Sequence, residues 1–238
     1  MKIRLLGLLM ILTGLNCFSQ NLSFYGLLPA ISQTGKISNK LNYNIFVSST
    51  FDAFNETIAH VNYPASDLQF YLQPSLIYQV KPRIQLAASY TFQRNNPISY
   101  NYSNEHRFWA QSNLFFPISK GKLNMRLRYE ERFIENRLNS SFNLASRLRM
   151  QLGYNLPLNG PSIDPGEFYF NTYNESYFSL AGFKNSTYSE NWSYLGFGYD
   201  LGKMGRLEIG YLNQIFVRNL YHDFRILNLA QILWITHF

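Results

Sequence analysis

The residues that could do chemistry are arginines and glutamates at alternate positions. Residues 122–135 read Lys-Leu-Asn-Met-Arg-Leu-Arg-Tyr-Glu-Glu-Arg-Phe-Ile-Glu, which sets Arg126, Arg128, Glu130 and Arg132 two apart. Glu105 and Arg107, Arg147 and Arg149, and Arg206 and Glu208 repeat the spacing. Guanidiniums and carboxylates on one face could neutralise one another, line a path for an anion, or form an acid–base pair. The first use is the expected one. Glu130 and Glu131 are adjacent, so in a strand they point to opposite faces and cannot share a substrate.

Other catalytic groupings are weak. His60, His106, His222 and His237 are far apart, with no His pair at helical spacing to hold a metal. His222-Asp223 reads as a turn pair, and no His is followed two residues later by Ser. Gly196-Phe197-Gly198 lies within an aromatic stretch, unlike a phosphate loop. The only cysteine is Cys17. No catalytic residue, cofactor or metal is expected, and the chain is read as a non-enzyme.

A period of two positions these residues. In 122–135 the partners of the charged face are Leu123, Met125, Leu127, Tyr129 and Phe133. Such alternation is that of a β-strand with unlike faces. Residues 67–80, 83–94, 103–116, 141–156 and 205–218 alternate in the same way, and strands are expected near 23–33, 39–52, 166–180, 190–202 and 223–238. Segments of 12 to 16 residues exceed the usual soluble strand and reach the roughly 9–11 residues a tilted transmembrane strand requires. Short connections at Lys81-Pro82, 119–122 and 202–205 alternate with longer ones at 52–66 and 95–102, as in outer-membrane barrels.

Composition agrees. The 238 residues are 46% hydrophobic and 15% charged, with 20 Phe, 18 Tyr and 3 Trp, which excludes a disordered chain and a charged helical bundle. The Tyr and Trp near strand ends suit a membrane-interface girdle better than a base-stacking platform, so no nucleic-acid partner is expected. Lys2 and Arg4 precede an apolar stretch from Leu5 to Leu15, and small residues at Cys17 and Ser19 make 1–19 a cleaved secretory leader. The net charge of +7 becomes +5 without it. Residues 20–238 form one domain.

The fold expected is all-β: an antiparallel transmembrane outer-membrane barrel of ten to twelve strands, with short periplasmic turns and longer extracellular loops. Both termini at the periplasmic rim demand an even number of strands, yet eleven segments are found. Residues 23–33 run the wrong way, so the expectation is ten strands with 23–33 inside or beside the barrel, or twelve with one unseen. Polar faces then line the lumen, placing Glu105, Arg107, Arg126, Arg128, Glu130, Arg132, Arg147, Arg149, Arg206 and Glu208 inside. A first hairpin register summing to 237 sets Glu105 opposite Arg132 and Arg107 opposite Glu130, and nearby registers keep the charges within diagonal reach. A sum of 277 in the next sets Glu130 opposite Arg147. Trp234 and the terminal Phe238 resemble the signal read by the barrel-assembly machinery.

The run Glu105-His106-Arg107-Phe108-Trp109-Ala110-Gln111 resembles the E-x-R-x-W-x-Q segment of an outer-membrane barrel family catalogued as domain of unknown function 2490. Residues 126–132, Arg147-Leu148-Arg149, Asn174-Glu175 and 210–214 resemble it too. The resemblance implies fold and location and no activity. The expected role is a structural barrel or narrow, porin-like channel in the outer membrane of a Gram-negative bacterium. Its partners would be outer-membrane lipid, periplasmic chaperones, the assembly machinery and a small anionic solute. The alternatives are a barrel enzyme acting on lipid or peptide, and a secreted soluble β-sandwich that binds sugar or a partner.

Overall fold

The structure is a computed structural model that describes residues 21–58, 60–182, 186–219 and 223–237. The leader, Cys17, His222 and Phe238 lie outside these residues. The described chain forms β1 (Leu22–Lys36), β2 (Leu41–Asp52), β3 (Glu56–Ile58), β4 (Val61–Tyr63), β5 (Ser66–Lys81), β6 (Ile84–Asn95), β7 (Ser103–Pro117), β8 (Lys122–Glu135), β9 (Phe142–Pro157), β10 (Phe168–Ala181), β11 (Tyr188–Asp200), β12 (Arg206–Val217) and β13 (Phe224–His237). Among the described residues no helix is long and apolar enough to cross a membrane.

Eleven strands close into a barrel in the order β1-β13-β12-β11-β10-β9-β8-β7-β6-β5-β2, while β3 and β4 form a separate small hairpin. Every neighbour pair is antiparallel except β1 and β13, which run parallel over thirteen residue pairs from Leu22–Arg225 to Thr34–His237. The even count of ten or twelve is therefore wrong, and residues 23–33 are neither beside the barrel nor inside it. They belong to the strand that closes it. An odd number of alternating strands leaves one neighbour pair pointing the same way, and the long parallel ladder absorbs that mismatch. It also places the described chain ends, Asn21 and His237, at opposite rims. Pro29, which weakens the alternation, has no N–H to donate. The β1–β2 ladder accordingly skips Leu28 and Pro29 and resumes at Ala30–Ser48.

The rim carrying His237 has connections 37–40, 82–83, 118–121, 158–167 and 201–205. All are short turns but 158–167. The other rim has 53–65, 96–102, 136–141, 182–187 and 218–223. From 53–65 the β3–β4 hairpin reaches the barrel mouth, where the Tyr63 ring meets Phe24 edge-on at 5.5 Å.

The interior is not polar throughout, which corrects the expectation of uniformly polar inward faces. Phe24, Leu28 and Ala30 of β1, Tyr194 of β11, Leu212 of β12, and Leu227 and Leu229 of β13 form one buried cluster inside the wall. A barrel of eleven strands lies between the eight that side chains can fill and the sixteen or more that leave a channel. Here apolar side chains fill one sector, behind the parallel seam. The sector from β5 to β10 is polar, with Gln73, Thr91, Gln93, Arg107, Arg128, Glu130, Arg147 and Arg149 all buried.

Candidate functional site

The polar sector holds a network of guanidiniums and carboxylates in two ion-paired groups, one around Glu105 and one around Glu130 and Glu175. Its geometry begins with the β7–β8 hairpin, whose turn 118–121 pairs Pro117 with Lys122 and so fixes a sum of 239. This is the neighbouring odd register, not the 237 that sets opposite charges face to face. Arg107 faces Arg132, and Trp109 faces Glu130. Like charges directly opposite are destabilising, so carboxylates must reach diagonally. Glu105 does so, accepting from Arg132 Nε at 2.6 Å and Nη2 at 3.0 Å, and along its own strand from Arg107 Nε at 2.5 Å. In the β8–β9 hairpin Glu130 lies opposite Arg147, with the sum of 277.

Glu130, with no exposed surface, is the hub. It accepts from Arg147 Nε at 2.5 Å and Arg149 Nη1 at 2.8 Å, with Arg128 Nη1 at 3.5 Å. Arg149 continues to Glu175 of β10 through a two-bond fork, both distances 2.9 Å. Arg126 Nη2 donates to the same carboxylate at 2.7 Å, and Arg147 Nη1 to Glu190 of β11 at 2.8 Å. The planar guanidinium suits such forked pairing, which a lysine could not reproduce.

Aromatic faces and amides complete the network. Arg128 lies 3.8 Å from the ring centroid of Trp109, and its Nε donates to Gln111 Oε1 at 2.8 Å. Trp109 Nε1 donates to Thr91 at 3.1 Å, and Arg107 donates to Gln93. Arg147 and Arg149 stand 4.9 and 4.5 Å over Tyr177, whose hydroxyl donates to Glu175 at 3.1 Å. Cation–π contacts of this kind contribute most where water is excluded, about 2 kcal/mol each. The alternating run Glu105, Arg107, Trp109, Gln111 thus lies wholly on the inner face, and each member has a defined partner.

Eight of the ten residues placed inside from the sequence join this network. Arg206 and Glu208 do not. Arg206 Nε pairs with Asp200 at 2.8 Å. Glu208 accepts from Tyr169 Oη at 2.8 Å, Asn171 Nδ2 at 3.0 Å and Tyr194 Oη at 3.5 Å. These tyrosines lie flat against the wall because glycines face them. A Cβ on Gly198 would sit 2.2 Å from Cζ of Tyr169, and one on Gly196 2.3 Å from the Tyr194 hydroxyl. Trp234 faces outward and its Nε1 donates to Met204 O at 2.9 Å, tying β13 to the turn beside it.

The sequence reading missed Glu175, Glu190 and Asp200 as inward charges. Strand β10 is aromatic on both faces, with Tyr169, Tyr173 and Tyr177 inward and Phe168, Phe170 and Phe178 outward, so alternation of polarity does not reveal Glu175. The signal that could have found it is stoichiometric: the central arginines outnumber Glu105 and Glu130, and the excess needs acids on neighbouring strands. His60 sits in the β3–β4 turn, and His106 Nδ1 lies 2.6 Å from the Tyr90 hydroxyl. No group of residues able to hold a metal ion occurs among the described residues.

The model of the family described as a protein of unknown function (DUF2490) matches residues 26–223, from within β1 to the connection that follows β12. The chain belongs to this family. A search of the curated proteins found no match. Within the DUF2490 match lie all the arginines and glutamates of the network, with Glu105, Arg107, Trp109 and Gln111 on its β7 side.

Proposed function

We propose that this protein is an integral outer-membrane β-barrel of a Gram-negative bacterium, non-enzymatic, with a lumen closed by the arginine–glutamate network. The observation that carries the reading is the inversion of polarity across the wall. Charged residues such as Glu105, Glu130, Arg147 and Glu175 are buried, while Leu76, Phe108, Leu144, Leu152, Phe197 and Ile209 are about half exposed. A soluble barrel arranges these classes the other way round, and so large an apolar surface calls for a lipid solvent.

The network itself supports a structural role. Each of its carboxylates is engaged by at least one guanidinium, as a fixed counterion rather than a proton-transfer group. Six arginines meet four glutamates there, so the local charge is positive. Arg126 and Arg132 retain 22% and 19% side-chain exposure. Any solute admitted along this wall is therefore expected to be a small anion. Export by the leader, periplasmic chaperones and the barrel-assembly machinery are the partners this location requires. The test is conductance of the purified chain in planar lipid bilayers: a closed lumen gives none, and steady anion-selective conductance would contradict closure.

A further inference from the structure

Across five neighbouring strands the outer face carries a single row of uncharged polar residues. Asn174 of β10 is the ladder partner of Ser193 of β11, Ser193 of Asn213 on β12, Asn213 of Asn228 on β13, and Asn228 of Tyr25 on β1. Asn191 and Ser176, partners one step toward the loop rim, extend it. At about 4.8 Å between strands the row spans roughly 19 Å.

The row does not mark where the apolar surface stops. On the side of the short turns it is bordered by Leu195, Tyr211, Ala230 and Leu27, which are ladder neighbours of one another. On the other side Phe178, Ile215 and Ile226 take the outward positions of β10, β12 and β13. Amides within an apolar band that faces lipid need partners, because hydrocarbon offers none.

Part of that need is met along the row. Asn174 and Asn191 exchange amide hydrogen bonds at 2.9 and 3.2 Å, and Asn174 also donates to Ser193 at 2.9 Å. Asn213 Nδ2 and the Tyr211 hydroxyl converge on Asn228 Oδ1 at 3.1 and 2.5 Å. These bonds hold the side chains in place. Asn174 and Asn191 are further engaged by Ser176, Ser193 and the main-chain oxygens of Trp192 and Glu175, whereas no hydrogen bond reaches Asn213 Oδ1 among the described residues, which leaves the middle of the row open.

We propose that this face is the contact between two copies of the chain, packed side by side in the membrane with Asn213 near a two-fold axis. The row carries no charge and mixes donors with acceptors, so it complements itself. An isologous contact requires that property. A charged partner would call for a charged counterpart, which the row lacks, and two basic copies can approach here without repulsion. Polar side chains paired between spans are a recognised adhesive in lipid. The proposal rests on the outer-membrane reading above.

The experiment uses the full chain with Cys17→Ser, expressed in a Gram-negative host, carrying Asn213→Cys or, on the far side of the barrel, Leu86→Cys. Membranes are washed with urea and oxidised. A dimer-sized band from Asn213→Cys and none from Leu86→Cys is the expected result. A second variant, Asn174→Leu with Asn228→Leu, should halve the particle mass measured by light scattering in mild detergent. Chain retained in the washed membrane without the dimer band, or linked only to other proteins, overturns the dimer and leaves the membrane reading intact. Chain absent from the washed membrane overturns both.

Discussion

Replacing Glu130 by Gln keeps the shape of the hub and removes its charge. Three guanidiniums then face a neutral amide. Arg147 retains Glu190 and Arg149 retains the fork to Glu175, but Arg128 has its ion pair with Glu130 alone among those of the described residues. Arg128 is 95% sequestered at its side chain and lies opposite Arg149 on the neighbouring strand. Its charge therefore becomes both buried and repelled. Removing one partner of a buried pair costs about 3–5 kcal/mol. With a urea slope near 3 kcal/mol/M, the unfolding midpoint should fall by roughly 1–1.7 M. The assay is urea unfolding of the reconstituted chain, followed by loss of the compact gel form. Adding Arg128→Met to Glu130→Gln should recover much of the loss, since the stranded charge goes with it. An unchanged midpoint together with anion conductance in Glu130→Gln would refute a packed, dry network and indicate a water-filled lumen.

Gly198→Ala should push Tyr169 off the wall and away from Glu208, costing about 1–3 kcal/mol as overpacking does; melting of the variant beside the parent checks it. Protease-cleavable tags placed before Asn21 and after His237 should be accessible from opposite sides of the membrane, and cleavage of both from one side would contradict the parallel β1–β13 closure. Deleting Phe238 should lower outer-membrane levels of the chain without blocking its passage across the inner membrane, as read by fractionation and immunoblot.

Strands β5 to β9 and β12 were legible because one face is apolar and the other polar or charged, so residues alternate with period two. The arginines of β8 and β9 could be placed inside on that ground alone. Two things were not legible. Parity of strand direction was assumed from both termini sharing a rim, and nothing local to residues 23–33 shows that β1 closes against β13 in parallel. The seam is chosen by ladder length and by the apolar contacts of Phe24, Leu28, Leu227 and Leu229 behind it, which are long-range. The hairpin register was off by one pair of residues because the turn 118–121, and not charge pairing, sets it. Charges then met diagonally. Glu175 and Glu190 stayed hidden where tyrosine, itself part apolar and part polar, occupies the inner face.

Membrane integration is tested most directly by washing outer membranes of an expressing Gram-negative host with urea or carbonate and running the pellet unboiled and boiled on a denaturing gel. The expected result is full retention in the pellet and a boiled band that migrates differently from the unboiled one. Complete extraction into the wash, with a single band under both conditions, would contradict an integral barrel.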